Sequence, residues 1–127
     1  FLAQYYAFVR DGYEGPLWER QEKRLRAFRD RIAGAGGRLA VVTFPFLHAM
    51  GPDYPYRGAH ETLGRLWQEL GVPHLDLLPV FQDKKPADIT VNRYDAHPNE
   101  EAHALAARAM DPFLTPLVLD GAAQKAR

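Results

Sequence analysis

The apolar positions of this chain switch between two periods. Over residues 17–33, Trp18, Leu25, Phe28 and Ile32 recur at spacings of seven, three and four. That is one stripe of an amphipathic helix. Its other face carries Arg20, Lys23, Arg24, Arg26, Arg29 and Arg31 interleaved with Glu19, Glu22 and Asp30. Mixed signs three and four residues apart read as a solvated face rather than a phosphate-binding surface. Residues 39–44 (Leu-Ala-Val-Val-Thr-Phe) form a continuous apolar, β-branched run, which predicts a buried parallel strand ended by Pro45. The helical period returns over residues 59–70, where Leu63, Leu66, Trp67 and Leu70 face inward, and Gly71 closes the helix. Residues 74–78 predict a second short buried strand, stopped by Pro79.

Ahead of the first long helix, residues 1–10 form an aromatic, helical segment broken by Asp11-Gly12 and Gly15-Pro16. Gly34-Ala35-Gly36-Gly37 supplies a left-handed helix end. It follows a helix and precedes a strand, so it is not a nucleotide loop. A polar stretch, residues 82–92, crosses to a loop at residues 94–98, and a helix over residues 99–110 follows. Asp111-Pro112 interrupts that helix, residues 113–119 add a short helix or strand, and residues 121–127 read as a frayed tail. The order is helix, strand, helix, strand, loop, helix: an α/β fold with a parallel sheet, flanking helices and right-handed crossovers. Two strands make a thin sheet. Its exposed edge calls for further strands from elsewhere in the polypeptide or from a partner chain.

Chemistry concentrates in Tyr94-Asp95-Ala96-His97-Pro98-Asn99-Glu100-Glu101-Ala102-His103. Pro98 biases His97 toward an extended conformation. Asn99 is a natural N-cap, and Glu100 and Glu101 suit the positive end of the helix dipole. His97 therefore stands in a rigid corner before a helix, with Asp95 close enough to orient its ring, as a general base requires. Residues 45–58, rich in proline and glycine, leave the C-terminal end of a strand and are a candidate pocket wall.

Asp-x-His-Pro-Asn followed by Ala-His and an alanine-rich helix resembles the last conserved block of the SGNH, or GDSL-type, ester hydrolases. The resemblance covers residues 17–112, with real specificity only at residues 95–103. It implies a flavodoxin-like three-layer sandwich of the SGNH type, of which this chain is the C-terminal half. It also implies that His97 is the catalytic general base and Asp95 its orienting acid in a Ser-His-Asp triad. The family's commoner spacing is Asp-x-x-His, whereas this chain has Asp-x-His. At this spacing a backbone carbonyl could hold the ring in place of Asp95. The implied substrate is a small-molecule, carbohydrate or lipid ester, and no metal or organic cofactor is implied.

Composition changes this picture at one point. The 127 residues contain neither cysteine nor serine, so disulfides, thiolate chemistry and a serine nucleophile are all absent from this sequence. The resemblance then requires the serine and oxyanion donors from a missing N-terminal half or a partner chain. The opening residue is Phe1 rather than Met, which also places the natural start further upstream; export is not readable. Lys plus Arg and Asp plus Glu both total 16, a balance that gives no reason to expect nucleic acid. No apolar run approaches the ~18 residues of a membrane span. His97 and His103 with Asp95 or Glu101 could suggest zinc, but the spacing is not that of a known ligand set, and His60-Glu61 lacks the second histidine of H-E-x-x-H. His48, His60, His74 and His103 read as structural. The rival reading is a non-catalytic α/β binding or assembly module, in which Asp95 and His97 are architectural.

Overall fold

The computed structural model describes residues 2–125, with side chains for residues 4–121. The elements run α1 (Leu2–Asp11), α2 (Gly15–Gly34), β1 (Val41–Thr43), a 3-10 turn (Leu47–Ala49), α3 (Arg57–Glu69) and β2 (His74–Asp76). There follow α4 (Leu78–Phe81), α5 (Pro86–Ile89), β3 (Thr90–Asn92), β4 (Asp95–Pro98) and α6 (Glu100–Lys125). β1 and β2 form one two-stranded sheet, and β3 and β4 another. The chain is thus mixed α/β. Phe1 of the aromatic segment and residues 126 and 127 of the expected tail lie outside the described residues.

Two compact units divide the chain: Phe1–Val41 with Pro55–His74, and Val42–Tyr54 with Leu75–Arg127. In the first, α2 starts earlier than its apolar stripe. Pro16 occupies the first turn, where its missing N–H costs nothing. Both long helices end in the same device. Gly36 and Gly71 take φ of 74° and 63°. After α2 the N–H groups of Gly36 and Gly37 donate to Ala33 and Ile32; after α3 those of Gly71 and Val72 donate to Gln68 and Trp67. This is the paired 5→2 and 6→1 closure that a left-handed glycine permits. The charged face of α2 is solvated, as its pattern predicts. Arg26 donates to Glu22 one turn back at 2.6 Å and to Glu69 of α3 at 2.8 Å. The apolar stripe is less covered than expected: no residue of α2 is buried, and Phe28 is exposed. α3 is the well-packed helix of this unit, burying Ala59, His60, Leu66 and Trp67.

The second unit holds Phe81, Leu77 and Ile89 with no exposed surface. The strands β1 and β2 are shorter than the apolar runs. Only Val41–Thr43 of residues 39–44 pairs, and the strand is half-buried rather than buried, since it has a neighbour on one side alone. The run at residues 74–78 stops at Asp76 because that side chain accepts from the Leu78 N–H at 2.9 Å and starts α4. Pro79 then sits in the first turn of a helix and does not itself end the strand. The polar stretch at residues 82–92 folds into α5 and β3, where a connecting loop was expected. Residues 94–98, expected as a loop, supply β4, antiparallel to β3. The helix at residues 99–110 continues through Asp111-Pro112 to Lys125, with Pro112 and Pro116 inside it, so residues 121–125 are helical. Proline forfeits one helical hydrogen bond, and neither proline is sufficient here to stop a helix of 26 residues.

Candidate active site

The hairpin of β3 and β4 places Asp95 and His97. Its register pairs Thr90 with Pro98 and Asn92 with Asp95. Between those pairs lie one residue of β3, Val91, and two of β4, Ala96 and His97. That two-against-one count is a β-bulge, a feature that breaks regular alternation and re-aims a side chain. At the tip, Asn92 Oδ1 accepts from the N–H of Tyr94 at 2.8 Å and of Asp95 at 3.1 Å. Asparagine favours such turns because its side chain mimics a backbone carbonyl. Arg93 lies over the exposed Tyr94 ring, 4.3 Å from its centroid.

Within the bulged strand one carboxylate oxygen does two jobs. Asp95 Oδ1 accepts from the His97 backbone N–H at 3.0 Å and meets His97 Nδ1 at 2.6 Å. The His97 N–H, then the ring contact, hold the Asp95 carboxyl below its ordinary value. An ionised carboxylate can only accept, so Nδ1 carries a proton, and in the neutral ring Nε2 then presents a lone pair. That is the tautomer of a general base.

Beyond β4, Asn99 locks the corner to its surroundings. Its Oδ1 caps α6 through the Ala102 N–H at 3.0 Å. Its Nδ2 donates to the carbonyls of Asp88 at 3.0 Å and Thr90 at 3.3 Å, and its N–H donates to Ile89 at 3.2 Å. Three elements, α5, β3 and α6, meet on this one side chain. The 3-10 turn after β1 also packs against β4, which puts part of the segment at residues 45–58 beside the pair.

No protein-family model, curated protein or solved structure matches this chain.

The pocket wall expected from residues 45–58 does not enclose the pair. The His97 side chain is 87% exposed and that of Asp95 45%. A shallow pocket of about 610 Å³ lies nearby, lined by Val91, Pro98, Asn99, Glu100, Glu101 and His103. His103 therefore sits on the wall of a pocket that His97 does not line. Among the described residues, no three His, Asp or Glu side chains are grouped to hold a metal ion, and no helix is long and apolar enough to cross a membrane. His48 is half-buried beside Phe46, with ring centroids 5.6 Å apart, and burial lowers its pKa. His60 is buried in α3. Asn92 is the contributor that the reading of sequence missed. The signal was an asparagine two residues before Tyr94, at the entry to a tight turn.

Proposed function

We propose that this chain carries the histidine and aspartate of an SGNH-like ester hydrolase, with the serine and oxyanion donors supplied by another stretch of polypeptide. The observation that carries the reading is the double contact of Asp95 Oδ1 with His97. It fixes the Nδ1–H tautomer and leaves Nε2 without a hydrogen-bond partner among the described residues. In the reaction Nε2 takes the serine proton as the hydroxyl attacks the ester carbonyl, and returns it to the leaving alkoxide. Asp95 stabilises the imidazolium formed between those steps. The same base then activates water to release the acyl group. The substrate is an ester of a small molecule, carbohydrate or lipid. The three-layer sandwich of that family belongs to this proposal, and the pairing of β1 with β2 is compatible with it.

One observation favours the second reading, a binding or assembly module: His97 stands in solvent and lines no pocket among those described. Ester turnover of the full-length protein and its His97→Ala variant decides between the two. The hydrolase reading expects kcat to fall by about 10³-fold or more with the fold retained by circular dichroism. Equal rates from the two folded proteins would remove His97 from the mechanism.

A further inference from the structure

Asp95 and His97 stand two residues apart in a bulged strand, His97 largely exposed and Asp95 half-exposed, so packing does not hold them together. Beside the pairing of β3 with β4, a succession of side-chain-to-backbone bonds constrains their backbone. Asn92 accepts from Tyr94 and Asp95, Asp95 accepts from His97, and Asn99 accepts from Ala102. The third member ties α6. The first fixes the turn that delivers Asp95, through a bond from the Asp95 N–H to the Asn92 side chain.

We propose that Asn92 is a positioning residue for the Asp95 and His97 pair. Its side-chain carbonyl sets the turn geometry that presents Oδ1 to both nitrogens of His97. Asn92 touches neither His97 nor any reacting atom; it acts through the Asp95 backbone. Side chains held by two soft hydrogen bonds drift apart once the turn that delivers one of them is released, because the freed rotamers gain entropy. Losing the Asn92 acceptor should therefore loosen the Asp95 carboxylate and let the His97 ring exchange tautomers. Only the effect on rate rests on the hydrolase reading.

The test is ring-nitrogen NMR of His97 in the 127-residue chain. The unaltered chain should show the Nδ1–H tautomer. Asn92→Ala should lose its predominance and shift toward the Nε2–H form, while the Asp95 carboxyl titration moves up toward its ordinary value. Asn92→Asp, which keeps the acceptor oxygen, should restore the Nδ1–H tautomer. If alanine does not fold, Asn92→Gly removes the same acceptor while leaving the turn its backbone freedom. A folded acceptor-less variant with the unaltered tautomer and Asp95 titration would overturn the proposal. In the full-length protein Asn92→Ala should lower kcat about tenfold with KM unchanged. A tautomer shift in a protein whose turnover does not respond to His97→Ala supports the positioning role and defeats the hydrolase reading alone.

Discussion

Asp95 grips His97 twice with the same oxygen, at the backbone N–H (3.0 Å) and at ring Nδ1 (2.6 Å). The two bonds have different consequences. The backbone contact fixes where the carboxylate sits, and the ring contact fixes which way the imidazole turns. Because both donors favour the ionised acid, the pair is a coupled unit, with the aspartate pKa as its most direct readout.

The Asp95 carboxyl should titrate below 3.8, its ordinary value. The sign follows from linkage: a carboxyl depressed in the folded state adds stability above its unfolded pKa. That contribution is lost as pH falls through the lower, folded value. The contact with His97 should thus survive acidification through the range where exposed carboxylates protonate. Carbon-detected NMR titration of Asp95 checks this. His97→Ala, which removes the ring but keeps the backbone N–H, should raise the midpoint only partway. A midpoint at or above 3.8 in the unaltered chain would contradict the geometry.

Asn99→Ala should destabilise the protein by about 2–3 kcal/mol, since it loses a helix cap and two further hydrogen bonds. Asn99→Asp separates these contributions. Aspartate keeps the acceptor for Ala102 and suits the helix N-terminus, but it cannot donate to Asp88 and Thr90. Its midpoint in urea should fall between those of the parent and the alanine variant. An aspartate variant as stable as the parent would mean that the bonds to α5 and β3 contribute nothing.

Long elements were legible because their signals are local and redundant. The stripe and glycine stop of α3 and the glycine cluster after α2 each mark a boundary by a stated backbone need. Their closures appear where the glycines stand. The N-cap at Asn99 was legible for the same reason, and so was the meeting of Asp95 with His97, two residues apart. The hairpin was not. β3 is three residues long and begins with Thr90, so it offers no run of alternating residues to detect. Its partner strand includes a bulge and a proline, both of which suppress a strand signal. The extent of α6 was misjudged for the opposite reason: Pro112 is a strong local stop signal that the long helix overrides. How far the stripe of α2 is covered depends on what packs on it, which no local pattern encodes.

His48 gives a second acid-side prediction, distinct from that of Asp95. Its ring nitrogen Nε2 is buried, and burial lowers the pKa below 6.5. A histidine held neutral in the folded state lets the unfolded chain take up the proton first. Stability should then decline as pH falls from 6.5 toward the folded value, and level off below it. Chemical denaturation between pH 7 and 5 measures the slope. His48→Gln should flatten it relative to the parent; an unchanged slope would mean that His48 titrates alike in both states.

Filling the second unit depends on Ile89, which has no exposed surface and lies at the end of α5, directly before β3. Ile89→Ala should cost about 2–5 kcal/mol, the range for truncating a buried aliphatic residue. Ile89→Val, which removes one methylene, should cost about 0.5–1.5 kcal/mol. Urea midpoints at constant slope supply both numbers. Equal midpoints for the alanine variant and the parent would show that the position is not packed as described.

The 127-residue chain alone should not hydrolyse short p-nitrophenyl esters above background. Serine and cysteine are absent, so only a threonine could serve as a side-chain nucleophile of the hydroxyl type. None of the four threonines is placed for it. Thr90 is buried, and its Oγ1 donates to the Pro86 carbonyl at 2.7 Å, which commits the proton to a backbone acceptor. Thr62 accepts from Arg65 at 3.2 Å on the surface of α3, and a guanidinium cannot act as a base. Thr115 donates to Asp111 at 3.0 Å within α6, four residues along one helix, with no histidine in that bond. Thr43 lies within β1, not in a strand-to-helix turn of the kind that presents a nucleophile. A base without a nucleophile can still deprotonate water, but without positioned oxyanion donors that route stays slow. Esterase assays on the purified chain, with His97→Ala as the reference, should therefore give indistinguishable rates. Turnover abolished by a single Thr→Ala change would locate the chemistry elsewhere and leave His97 without the role proposed for it.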